Sequence, residues 1–159
     1  MIKNWCVVWL GNLVGSWCVE LIVYYGGVLG DPAATAKAVG IAEAKAGLDI
    51  SVMIFRGIVC NILVVLAVWM ATSAQDIISK IFACWFPIML FVLCGFEHSV
   101  ANMYFIPVGM LLGANVSVGA CATNLICVTI GNIIGGAIIV PVIYYTTYLA
   151  ADKKKSSNV

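Results

Sequence analysis

The chain has 159 residues, of which 64% are hydrophobic and only 9% charged, with a formal net charge of +1 at neutral pH. A soluble domain carries about 25% charged residues, so this composition excludes a water-exposed globular surface and marks an integral membrane protein. The near-neutral balance also excludes a nucleic-acid partner, which needs a concentrated basic face.

A membrane-spanning helix needs about 20 mainly apolar residues. The first predicted span covers 5–29 and carries one acid, Glu20, with Gly11 and Gly15 spaced for close helix contact. Met1-Ile2-Lys3-Asn4 leads straight into it, and the apolar run is too long for a signal peptide. Next comes Asp31-Pro32, a helix cap followed by proline at the first turn, and then a stretch dominated by alanine and glycine. That pattern predicts a short helix packed on the outer face of a bundle. The second span covers 51–73, with Arg56 near its start and Asn61 inside. Arg56 is expected to pair with Glu43 or Asp49.

Over 77–112 the chain is apolar from Ile81 to Phe96, is interrupted by Glu97-His98-Ser99, and continues apolar from Val100 to Leu112. Three residues are too few for an exposed loop, and charge placement favours one broken span over two. With an even number of crossings after it, Lys80 stays on the same, cytoplasmic side as Lys153-Lys154-Lys155. Gly95 eases the turn. Irregular backbone at that depth needs protein or a cavity to satisfy it. An outer connection is expected at 113–123, then a last span at 124–150 and a cytoplasmic tail at 151–159. Membrane lipid is the surrounding partner.

Two strings repeat: Leu10-Gly11-Asn12-Leu13-Val14-Gly15 in the first span and Ile130-Gly131-Asn132-Ile133-Ile134-Gly135 in the last. An internal repeat of this kind is the mark of a transporter or channel built from two related halves. The second half reads as an ordinary span, a broken span and a glycine-bearing span. The first half is represented by its last span alone. Two crossings separate the repeated strings, so they run antiparallel, as an inverted repeat requires. The fold class is therefore an all-α membrane protein, an inverted-repeat helical bundle with the last four of six spans present. On this reading the chain is truncated at its N-terminus.

His98 is the only histidine, set at a helix break inside the membrane. An ionisable group there is costly and functional by default, and histidine titrates closest to neutral pH. It is the candidate proton carrier for a weak-acid anion. Glu97 reads as structural, accepting hydrogen bonds from the broken backbone or from Asn102. Asn61 either faces a pore or bonds a neighbouring helix. Lys45 reads, on spacing alone, as a solvated surface lysine. Phe91, Phe96, Met103, Tyr104 and Phe105 flank the break, and one or two of them form a hydrophobic constriction. The seven cysteines form no CxxC pair and read as small hydrophobes. No metal site, cofactor or enzymatic motif is expected.

Three stretches resemble the formate–nitrite transporter family: Phe55-Arg56-Gly57-Ile58-Val59-Cys60-Asn61, Gly95-Phe96-Glu97-His98-Ser99-Val100-Ala101-Asn102-Met103, and Gly131-Asn132-Ile133-Ile134-Gly135-Gly136. The wording looks closest to the hydrosulfide channel branch. The resemblance implies an aquaporin-like fold, a homopentamer with one pore per subunit, and passage of small monovalent anions such as formate, nitrite or hydrosulfide across the inner cell membrane. It matches His98 to the family's pore histidine, Lys45 to its outer lysine, Asn61 to its buried asparagine and Phe91 to a narrowing phenylalanine. Glu97 and Asn102 match the pair that braces the second break. Lys45 then attracts the anion, narrowings strip its water, and His98 with Asn61 supports passage as the neutral acid. A pore for neutral solutes and a non-transporting membrane subunit are the alternatives.

Overall fold

The computed structural model describes residues 1–149, so Lys153 to Lys155 and the expected cytoplasmic tail lie outside the described residues. Every regular element is helical: α1 (Ile2–Tyr25), α2 (Pro32–Ala46), α3 (Ile50–Ser73), α4 (Ile77–Leu93), α5 (Ser99–Leu111) and α6 (Val118–Leu149). Of these, α1, α3 and α6 are long and apolar enough to cross a membrane, and α4 and α5 are shorter apolar helices. The described chain forms two compact units. One comprises Met1–Met53 with His98–Cys127, the other Ile54–Glu97 with the chain from Val128 onward.

Local chemistry explains the helix ends. The α1 helix stops at Gly26-Gly27, where Gly27 takes a left-handed φ of +66° that side chains resist. Asp31 caps α2, its carboxylate accepting from the amides of Ala33 at 3.0 Å and Ala34 at 3.1 Å. Asp76 caps α4 in the same way, accepting from the Ser79 amide at 2.8 Å and its hydroxyl at 2.7 Å. Those bonds hold the Asp76 carboxyl below the usual carboxylate range. Ser117 accepts from the Ala120 amide at 3.1 Å and opens α6. The outer connection is therefore shorter than the 113–123 expected, because Ser117 starts the helix before the apolar run begins. The last helix also departs from α geometry: Ile134–Ile139 and Tyr145–Leu149 are π-helical. Nothing in the hydropathy pattern announces that change.

In the first unit, α5 packs on α1 and α2 around a core of Met103, Ile106, Cys121 and Leu125. Gly109 lets α2 approach, since a Cβ there would run into Ala42. The distribution of polarity on α1 inverts that of a soluble helix. Its acid, Glu20, is buried, while Val7, Val14 and Ile22 face outward. In the second unit, α6 lies directly on α3. A Cβ at Gly57 would stand 3.3 Å from the Gly131 Cα, so both glycines are needed at that crossing. Trp69 and Tyr144 close the same helix pair with ring centroids 3.5 Å apart.

Candidate functional site

The interruption between α4 and α5 is built from backbone groups with assigned partners. The α4 helix winds down as the Cys94 amide bonds the Leu90 carbonyl at 3.0 Å and the Phe96 amide bonds the Phe91 carbonyl at 3.0 Å. Gly95 makes the turn with φ at +65°. In the second unit the loosened strand is tied down from two helices. The Arg56 guanidinium on α3 donates to the Gly95 carbonyl at 3.4 Å, and the Glu97 amide donates to the Arg56 carbonyl at 3.4 Å. From α6, Asn132 Nδ2 donates to the Glu97 carbonyl at 3.0 Å and to the Gly57 carbonyl at 2.9 Å. Both protons of one side-chain amide are thereby used, and the Glu97 carbonyl, which lies between the helices in apolar surroundings, gains a donor. Asn61, half-buried on α3, donates to the Asn132 main-chain carbonyl at the start of the π segment. Glu97 is 2% exposed. Phe91 is half-buried in the last turn of α4.

In the first unit, His98 is the N-cap of α5, with Nδ1 accepting from the Ala101 amide at 3.3 Å. A ring nitrogen that accepts carries no proton, so the neutral ring bears its hydrogen on Nε2. Taking up a second proton requires giving up the cap. Two fully buried asparagines then link α5 to the end of α2. Asn102 Nδ2 donates to Asn124 Oδ1 at 2.8 Å, and Asn124 Nδ2 donates to the Lys45 carbonyl at 2.9 Å. That relay fixes where Lys45 stands. Its ammonium lies 5.9 Å from the Phe105 ring centroid, a cation–π contact, and its charge acts on His98.

The sequence-predicted residues thus fall into two groups, Lys45, His98 and Asn102 in one unit and Asn61, Phe91 and Glu97 in the other. Two residues with central roles were missed, Asn124 and Asn132. Asn132 sits in the repeated string, which was the available signal; Asn124 is an amide at the edge of an apolar run. The Asn102 amide goes to Asn124. Arg56 goes to the Gly95 carbonyl, and Glu43, one of its expected partners, accepts instead from the Asn115 amide at 2.9 Å. Among the described residues no three His, Cys, Asp or Glu side chains are grouped as metal ligands.

The family model described as formate/nitrite transporter matches residues 1–146. The probable formate transporter of Methanothermobacter thermautotrophicus is 46% identical over 164 residues, covering 94% of this chain and 60% of that protein. The formate channel FocA of Escherichia coli is 34% identical, covering 92% of this chain and 59% of that protein. The chain therefore spans about 60% of the length of these curated relatives. A solved pentameric formate channel with formate bound superposes with a TM-score of 0.84 at 32% identity, covering 93% of this chain and 66% of that one. A second solved structure, an FNT family ion channel, superposes at 0.81 with 35% identity, covering 87% of this chain and 56% of that one.

Proposed function

Since the chain belongs to the formate/nitrite transporter family and is a multi-pass membrane protein, we propose that it forms part of a channel for a small monovalent weak-acid anion. The named relatives are described as a probable formate transporter and a formate channel, so formate is the first substrate to test, with nitrite and hydrosulfide beside it. On this reading the subunits assemble as a homopentamer in the inner cell membrane with the C-terminus cytoplasmic. The chain supplies the last four of six spans of an inverted repeat.

The observation that carries the reading is the state of His98. A bare anion in a low-dielectric pore pays a Born cost of tens of kcal/mol. A neutral acid pays little of it. In the capped, neutral ring the Nε2–H can only hydrogen-bond the anion; the proton that neutralises it comes from the imidazolium, which forms as pH falls and Nδ1 gives up the Ala101 amide, and which returns to neutral imidazole on transfer. Lys45, fixed by the Asn124 relay, supplies positive charge that raises the local anion concentration. Phe91 and Asn61 keep the roles assigned by the family motif, a narrowing and a polar contact.

The test is flux into liposomes holding the chain, with formate, nitrite, hydrosulfide and glycerol under matched gradients. Flux of a weak-acid anion without glycerol is expected, rising as pH falls. In His98→Ala that rise should flatten. An unchanged pH profile would remove His98 from the mechanism. Absence of flux for every solute would favour a subunit that needs further spans to conduct.

A further inference from the structure

The Asn124 relay fixes the main chain of Lys45 but leaves its ammonium on a long flexible stem. The Phe105 ring meets that ammonium, with its centroid 5.9 Å from Nζ. Along α5, Phe105 stands at i+7 from His98 and i+3 from Asn102, so these residues share one face of the helix. The same face therefore anchors Lys45 twice, its main chain through Asn102 and Asn124 and its head through Phe105. Lys45, His98, Asn102, Phe105 and Asn124 all belong to one compact unit.

Core packing does not account for that ring. Its helix neighbours Met103 and Ile106 are fully buried in the core, whereas Phe105 stands outside it at 38% exposure. A T-shaped contact with Tyr104, ring centroids 5.7 Å apart, holds the ring from another side. The kind of partner matters to an anion. A carboxylate beside an ammonium cancels its charge, and Glu43, the one acid of α2, has its Oε1 on the Asn115 amide at 2.9 Å. An aromatic face attracts the same ammonium through its quadrupole and leaves the net charge in place. That charge already acts on His98. Building on the role given to Lys45 above, we propose that Phe105 is a positioning residue for anion capture: its ring holds the Lys45 ammonium, charge intact, beside the face of α5 that carries His98. Withdrawing electron density from the ring then weakens anion binding, whereas a ring that serves only as a narrowing is indifferent to it.

The test uses the full chain in detergent, its lysines dimethylated with isotope-labelled formaldehyde and cyanoborohydride, so that each amine keeps its charge. The Lys45 methyl signal, assigned by its loss in Lys45→Arg, is followed by NMR as formate is added at constant ionic strength. The signal of Lys37, exposed on the same helix, is the control. Replacing Phe105 by mono-, di- and trifluorophenylalanine nearly preserves the ring's shape and drains its face stepwise. Half-saturation of the Lys45 response should rise at each step, by about threefold in all. A Lys45 response with the same half-saturation across the series would overturn the role of Phe105 and leave that of Lys45 standing. No formate response at Lys45 in any of these proteins, or one no greater than at Lys37, would instead remove Lys45 from anion capture and Phe105 with it.

Discussion

The chain carries nearly the same six-residue string twice and uses it differently each time. In α6, Gly131 and Gly135 are buried so closely against α3 that an added Cβ would run into the carbonyls of Ile54 and Ile58. Asn132 between them is 6% exposed and bonds Gly57 and the break at Glu97. In α1, nothing stands within 4 Å of a Cβ at Gly11 or Gly15. Asn12 turns back on its own helix and donates to the Val8 carbonyl at 2.9 Å. A small-residue pair therefore permits close approach without causing it. The opposing backbone, here α3 with its own small residue Gly57, makes the contact. Likewise an asparagine in an apolar helix takes the nearest carbonyl when no better one is presented.

The comparison can be broken most sharply in α6. Gly135→Val should destabilise the protein by about 1–3 kcal/mol through overpacking, read as a lower melting temperature in detergent. Gly15→Val in α1 should leave melting nearly unchanged, and equal losses at both sites would remove the distinction. Asn132→Leu comes next, at about 1–2 kcal/mol, since the Glu97 carbonyl, which lies between the helices, loses this donor in surroundings that offer little replacement. Asn12→Leu should cost a few tenths of a kcal/mol at most, because the Val8 carbonyl keeps its place in the helix. Asn124→Ala should act in the other unit, freeing Lys45 and weakening anion uptake more than stability. The smallest effect is a control that needs no partner helix. The Asp76 carboxyl is held low by Ser79, so its contribution is present above the ordinary aspartate range and is lost as pH falls through its depressed value. Melting of the protein and of Asp76→Asn should therefore converge at acid pH.

Much of the fold was legible because hydropathy and capping act locally. Asp31-Pro32 announced α2, the apolar runs announced the spans, and Glu97-His98-Ser99 marked the interruption. The site was legible in part. His98 and Asn61 stood out as polar residues in apolar runs and Lys45 only through the family resemblance, whereas Asn124 and Asn132 did not stand out, since an amide's worth depends on which carbonyl it meets. The early start of α6 was missed because a serine cap is weak beside a hydropathy signal. The π segments were missed because nothing in the hydropathy pattern distinguishes them from α-helix.

By itself, then, the sequence determined that this is a helical membrane protein whose two shorter apolar helices are separated by an ionisable break, because solvent preference and local hydrogen bonding need no distant partner. Tertiary structure alone decided which repeated string is a contact, which amides hold the break and Lys45, and which ring meets the Lys45 ammonium. Each of these depends on which backbone or side chain from elsewhere in the chain arrives at that point.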